Sequence, residues 1–190
     1  MDPDLAGILC THGYPPMWNR PNSFETLVHF ILEQQVSLAS ALSALNKLRE
    51  KLVDVSPQKI LRLSDAELKA CYFSRQKTGY VRSLAESILK GETDLCGLAN
   101  MSDQEVRVAL TALKGIGNWT ADVYLIFVLQ RADIFPLGDL AAVNALREVK
   151  GLAKGSSSSE LMPVIERWKP NRSIATMLLW HRYLSSREKK

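Results

Sequence analysis

The chain predicts an all-α fold. Three observations carry that expectation: apolar residues recur at helical spacing over most of its length, helix-capping signals sit between those stretches, and strand-like alternation is missing. Gly13 stands where a left-handed C-cap would end the first helix, and Asn22-x-x-Glu25 reads as a variant capping box opening the second. In that second helix Phe24, Leu27, Val28, Ile31 and Leu32 fall on one face, and Leu38, Leu42, Leu45 and Leu48 continue the stripe in the next, so each is expected to bury one side. Ser56-Pro57 places proline at a first helical position, and Ser64-x-x-Glu67 is a full capping box. After the polar stretch Ser74-Arg75-Gln76-Lys77, the residues Val81, Leu84, Ala85, Ile88 and Leu89 form another stripe, closed by Gly91. A second capping box, Ser102-x-x-Glu105, opens a helix expected to end near Leu113, and a buried helix, apolar on every side over 124–129, is expected from about Asn118. A helix from Leu140 to about Lys150 ends at Gly151; the loop 155–159 precedes one beginning near Glu160, and Arg187 to Lys190 read as a frayed tail.

The 190 residues fit one globular unit, or two small lobes sharing a core, with 46% hydrophobic residues and a formal charge of +4. No apolar run reaches the roughly 18 to 20 residues of a membrane span, and the first four residues are no signal peptide, so a soluble intracellular protein without a membrane partner is expected. Cys10, Cys71 and Cys96 lie too far apart for a disulfide framework, a cysteine zinc site or a four-cysteine iron–sulfur cluster. His12, His29 and His181 show no metal-ligand spacing, and the positive balance permits nucleic acid as a partner.

The stretch Leu113-Lys-Gly-Ile-Gly-Asn-Trp-Thr-Ala121 is the most informative. Two glycines two apart make a tight turn between helices and let another surface approach the backbone, while the first N–H groups of the second helix point outward with the positive end of its dipole, which suits a phosphate. Alone, the pattern is compatible with a plain helix–helix turn.

In context it resembles the hairpin of the helix-hairpin-helix DNA glycosylase superfamily. Ile31-Leu-Glu-Gln-Gln-Val-Ser37 looks like that family's minor-groove loop, and Ser74-Arg-Gln-Lys77 with Tyr80 like its second DNA-facing turn. Asp133-Ile-Phe-Pro-Leu-Gly-Asp139 matches the segment carrying the catalytic aspartate. Trp168-Lys-Pro-Asn-Arg-Ser-Ile-Ala-Thr176 with Trp180 matches the alkylpurine branch, that of 3-methyladenine DNA glycosylase II. The motifs run in order through nearly the whole chain, which begins almost at the catalytic unit, so the extra N-terminal β-domain of some relatives is expected to be missing. The resemblance implies two helical lobes, one from the terminal helices and one from about 37–135 including the hairpin, with the active site in the cleft between them.

It also implies an activity: a damaged nucleotide is flipped out of double-stranded DNA and its N-glycosidic bond is hydrolysed. Asp139 would be the catalytic carboxylate, stabilising positive charge on the sugar and orienting or deprotonating water. It also reads as a helix cap, and the two roles agree, because the positive end of a helix favours the charged carboxylate. By resemblance Trp119 and Trp180 line the base pocket, where an electron-rich face would attract a cationic alkylpurine, although both also read as core residues. A further pocket tyrosine of some relatives corresponds to Val123, with Tyr124 adjacent. Gln35 or its neighbour Gln34 would fill the gap left by the flipped base. Ser74, Arg75 and Lys77 would face DNA, and phosphate contacts would come from the Gly115 and Gly117 amides, the Thr120 hydroxyl and Lys114. In the second turn the family's usual glycine is replaced by Tyr72 or Phe73. No cofactor is implied beyond a monovalent cation, Na⁺ or K⁺, at the carbonyls of Leu113 and Gly115. Bifunctional members carry a hairpin lysine where this chain has Trp119, so a monofunctional enzyme without lyase activity is expected. It would act as a monomer, in the cytoplasm and nucleoid of a bacterium or the nucleus of a eukaryote. A non-catalytic DNA-binding module and a glycosylase for other damaged or mismatched bases are the alternatives.

Overall fold

A computed structural model describes residues 2–188, and among them every regular element is a helix. In chain order these are α1 (Pro3–His12), α2 (Phe24–Glu33), α3 (Leu38–Lys51), α4 (Pro57–Arg62), α5 (Asp65–Ala70), α6 (Arg75–Leu89), α7 (Leu95–Leu98), α8 (Asp103–Thr111), α9 (Asn118–Phe127), α10 (Leu140–Val149), α11 (Ser158–Glu166) and α12 (Arg172–Glu188). None is long and apolar enough to cross a membrane. The capping boxes Ser64/Glu67 and Ser102/Glu105 form as their sequences predict, and Gly13, Gly91 and Gly151 all take positive φ. Asn22 is not a cap. Ser23 caps α2 by accepting from the Thr26 N–H, and Asn22 instead bonds the Leu95 carbonyl and the Tyr124 hydroxyl. The serine loop also differs from its expectation, because Ser157 and Glu160 form a third capping box and α11 begins at Ser158. At the C-terminus α12 runs on through Glu188, and the last two residues of the expected frayed tail lie outside the described residues.

The chain divides into two compact units, Arg20–Tyr124 and a terminal unit of residues 1–19 and 125–190. The central unit begins at Arg20 rather than near residue 37 because α2 packs on α3 and α6. α2 is buried nearly all round, not on one face: Phe30 and Glu33 are covered too, with the Arg20 guanidinium over the Phe30 ring and paired to both Glu33 oxygens at 3.0 and 2.6 Å. The stripe of α3 is also displaced from the expected one. Ala41, Ala44, Leu45 and Leu48 are buried while Leu38 and Leu42 are exposed, since at about 100° per residue Leu42 lies a quarter turn or more off the line through Ala41, Ala44 and Leu48.

In the terminal unit α12 packs on α1 and α10 around Leu5, Ile8, Ala142, Leu146 and Leu179. The N-terminus is fastened by Asp2, whose carboxylate caps α1 and accepts from Lys150 Nζ at 2.7 Å and from the Trp168 indole N–H at 2.8 Å. Burial opposes the charge of Asp2, but these donors outweigh it and hold its carboxyl down at about 2. A carboxyl depressed on folding stabilises above its unfolded value and stops doing so as pH falls through the folded one. The melting-temperature gap between the wild type and Asp2→Asn is therefore expected to be constant at neutral pH and to close between about pH 4 and pH 2, as thermal melts across that range would show.

Candidate active site and hairpin

In the terminal unit the segment leading to α10 is laid along α12 by hydrogen bonds. The Ser173 hydroxyl donates to the Arg131 carbonyl at 2.6 Å and accepts from the Ile134 N–H at 2.9 Å, and Arg172 grips the Asp133 carboxylate at 2.7 and 3.0 Å, holding that carboxyl below its usual range. This fixed segment delivers Asp139 as the N-cap of α10. Its Oδ1 accepts from the Ala142 N–H at 2.8 Å and from the indole N–H of Trp180, on α12, at 2.9 Å. The carboxylate thus has one oxygen fixed by two donors on two helices. Behind it the Trp180 ring meets Phe127 at 5.1 Å between centroids and Trp18 edge-to-face at 6.4 Å; Trp18 also meets Phe127 edge-to-face at 6.4 Å. Sequence reasoning missed Trp18 and Phe127. A large aromatic in the loop Tyr14-Pro-Pro-Met-Trp-Asn-Arg-Pro21, which has no helical period to bury it, was the one available signal.

In the central unit α8 and α9 form the hairpin, braced by an ion pair between Arg107 and the buried Asp122, whose carboxyl is raised by burial against the pull of the arginine. Gly115 has φ +85° and lies on the face of Tyr80, from α6: a Cβ there would sit 2.1 Å from the ring's Cγ. Gly117 has no such constraint, and a Cβ built on it meets nothing within 4 Å. It immediately precedes α9, its carbonyl accepting the Ala121 N–H at 3.0 Å, and as glycine it supplies no capping side chain to the first-turn N–H groups. The turn is therefore asymmetric, with one glycine packed inward and one facing open space.

A family model for HhH-GPD superfamily base excision DNA repair proteins matches residues 28–171, which include both the hairpin and Asp139. The chain belongs to the HhH-GPD superfamily. It is 30% identical over 162 residues, 83% of this chain and 76% of the relative, to the alkylbase DNA glycosidase-like protein mag2 of Schizosaccharomyces pombe. A crystal structure of DNA-3-methyladenine glycosidase from Bacillus halodurans superposes with a TM-score of 0.80 at 28% identity, covering 99% of this chain and 88% of that one. The S. pombe 3-methyladenine DNA glycosylase in complex with abasic DNA superposes with a TM-score of 0.81 at 26% identity, covering 95% and 91%. The first curated relatives are longer proteins, and the chain spans between 57% and 76% of their lengths.

Within this HhH-GPD chain several expected contacts take other roles. Tyr124 is fully buried and donates its hydroxyl to Asn22 Oδ1 at 2.6 Å, and burial pushes that hydroxyl up to about 12; it is a core residue, not a base-pocket one. Thr120 is 1% exposed, so its hydroxyl is not a phosphate contact; it accepts from Gln34 Nε2 at 3.2 Å. That same amide donates to the Gly115 carbonyl at 2.9 Å, which makes Gln34 a brace between the end of α2 and the hairpin. The Gly115 oxygen accepts this N–H and the Leu113 oxygen accepts from the Ile116 N–H at 3.1 Å, so each hairpin carbonyl has one donor and keeps a second lone pair. Lys77 turns inward, its Nζ on the Leu32 and Gln34 carbonyls at 2.6 and 3.0 Å and its own value lowered by burial, so it caps the end of α2 rather than facing a phosphate.

Other predicted residues do stand at the surface of the central unit. Gln35 is exposed with φ +57°, and Tyr72, 62% exposed with φ +64°, takes the left-handed conformation where the family's glycine is missing, leaving Phe73 buried. Ser74 caps α6 by accepting from the Lys77 N–H, Arg75 and Lys114 are exposed, and Trp119 is half-buried in the first turn of α9.

Proposed function

We propose that this HhH-GPD protein is a monofunctional DNA glycosylase that hydrolyses the N-glycosidic bond of alkylated purines in duplex DNA. The observation that carries this reading is Asp139, whose carboxylate is fixed by the Ala142 and Trp180 N–H donors beside an aromatic group. Departure of the base leaves positive charge on the sugar; a fixed carboxylate stabilises that charge without reorganising and orients the attacking water, as paired carboxylates do in sugar hydrolysis. Alkylation at a purine ring nitrogen leaves the base cationic, so aromatic faces favour it and the bond is already weakened. The first-turn amides of α9 and the Gly117 backbone would take phosphate, and Gln35, exposed where Gln34 is tied inward, would fill the stack. The names of the relatives support the same substrate class, and we place the protein inside the cell as a monomer on genomic DNA.

The test is a panel of duplexes carrying 3-methyladenine, 7-methylguanine, ethenoadenine, hypoxanthine or 8-oxoguanine. The cationic alkylpurines are expected to be released fastest; excision of 8-oxoguanine alone would overturn the assignment. A lyase step needs an amine to attack the sugar, and Trp119 fills the hairpin position where bifunctional members carry lysine. The product is expected to be an unbroken strand that nicks only after alkali or heat, and borohydride present during turnover is expected to trap no protein–DNA adduct.

A further inference from the structure

Gln35 has φ +57°, the left-handed conformation that strains a residue bearing a Cβ and persists only where its surroundings fix it. Both of its flanks are fastened. On the N-terminal side the Gln34 amide donates through Nε2 to the Gly115 carbonyl at 2.9 Å and to the hydroxyl of the buried Thr120 at 3.2 Å, while the Gln34 backbone carbonyl accepts from Lys77 Nζ at 3.0 Å. On the C-terminal side Ser37 caps α3 by accepting from the Ser40 N–H at 3.2 Å. Two residues, Gln35 and Val36, lie between these fastenings, and both are exposed. A glycine at position 35 would take the same backbone conformation without strain and would need no such support. The support is what lets a long polar side chain stand there. A loop that is already ordered also loses little further conformational freedom when its side chain enters a base stack.

We infer that Gln34 and Lys77 are positioning residues for base flipping: they hold the backbone of Gln35 left-handed, so that its side chain stands ready to occupy the gap, and Gln34 ties that loop to the hairpin turn at Gly115. This rests on the glycosylase reading and on Gln35 as the residue that enters the stack. It gives the two consecutive glutamines separate tasks, one held inward by the hairpin and one presented outward, and it gives the inward-turned Lys77 a part in the reaction without a contact to DNA.

The test is single-turnover release of 7-methylguanine at saturating protein from two duplexes, one with cytosine opposite the damaged base and one with a propanediol spacer that offers no base to pair with. Extrusion costs least where the base is unpaired, so a defect in flipping shows mainly opposite cytosine, whereas a defect in bond cleavage or a general loss of structure lowers both rates alike. Gln34→Met keeps the length of the side chain and loses the amide; it is expected to lower release opposite cytosine by roughly 3- to 10-fold, the net worth of one hydrogen bond, and release opposite the spacer by less than about twofold. Lys77→Met is expected to show the same selective loss, as is Gln35→Ala. Gln34→Met added to Gln35→Ala is expected to lower release by less than about twofold more, because the side chain it aims is gone. Circular dichroism melts identify folded variants, and if Gln34→Met does not fold, Lys77→Met and its combination with Gln35→Ala decide by the same criteria. The inference is overturned if Gln34→Met lowers both rates alike or neither, or if its loss multiplies with that of Gln35→Ala in the double variant. Failure of the glycosylase reading looks different: the wild type would then release 7-methylguanine from neither duplex.

Discussion

Asp139→Asn is expected to lower single-turnover release of alkylated purines by at least about 10²- to 10³-fold, while affinity for abasic-site DNA stays within about tenfold of the wild type. The two readouts separate because the substitution removes charge and little else. Asparagine keeps an oxygen that can accept from the Ala142 and Trp180 N–H groups, and it caps helices about as well as aspartate, so α10 and the segment laid on α12 are expected to hold their places. The grip on DNA is assigned to backbone amides of the central unit, which this change does not touch. What disappears is the fixed negative charge beside the sugar, and an amide dipole compensates little of it. Cleavage at a near-wild-type rate by a folded Asp139→Asn protein would remove Asp139 from the chemistry.

The helices and their ends were legible because their signals are local. A serine followed three residues later by glutamate forms the same two hydrogen bonds wherever the chain goes, so Ser64/Glu67 and Ser102/Glu105 are found from spacing alone. The cap role of Asp139 was legible for the same reason, whereas its catalytic role was implied only by the family resemblance. The side chains read less well are those whose partners are remote. Gln34 is defined by a carbonyl 81 residues away, and Tyr124 by an asparagine 102 residues before it. Nothing near Lys77 tells whether its ammonium faces a phosphate or the end of α2; the carbonyls of Leu32 and Gln34 decide it. In each case the contact required the folded chain. Trp18 shows the converse, since a loop tryptophan outside every motif becomes a neighbour of Trp180 only when α12 returns to the first residues.

Gly115→Ala is expected to be the most damaging single methyl in the hairpin. At φ +85° an L-residue pays about 1–2 kcal/mol, and the new Cβ would stand 2.1 to 2.4 Å from Cγ, Cδ1 and Cδ2 of Tyr80. These are the ring atoms nearest the α6 backbone, so they move only if the tyrosine changes its first rotamer or α6 shifts, and an overpacked site of this kind costs a further 1–3 kcal/mol or so. Urea unfolding is expected to show a loss of roughly 2–5 kcal/mol, with DNA affinity falling because the Gly115 carbonyl and Gln34 separate. Combining it with Tyr80→Ala removes the obstruction but not the backbone strain, so the double variant is expected to be less destabilised than the sum of the singles by about 1–3 kcal/mol. Simple additivity would mean that Tyr80 does not press on Gly115. Gly117 gives the contrast: its φ lies outside the left-handed region and its Cβ would meet open space, so Gly117→Ala is expected to stay within about 0.5 kcal/mol of the wild type in stability. Gly117→Arg, equally free of internal clash, fills the space through which a phosphate would reach the start of α9, and is expected to weaken DNA binding in a protein that still folds. Unchanged affinity of that variant would reduce the hairpin to a turn between two helices.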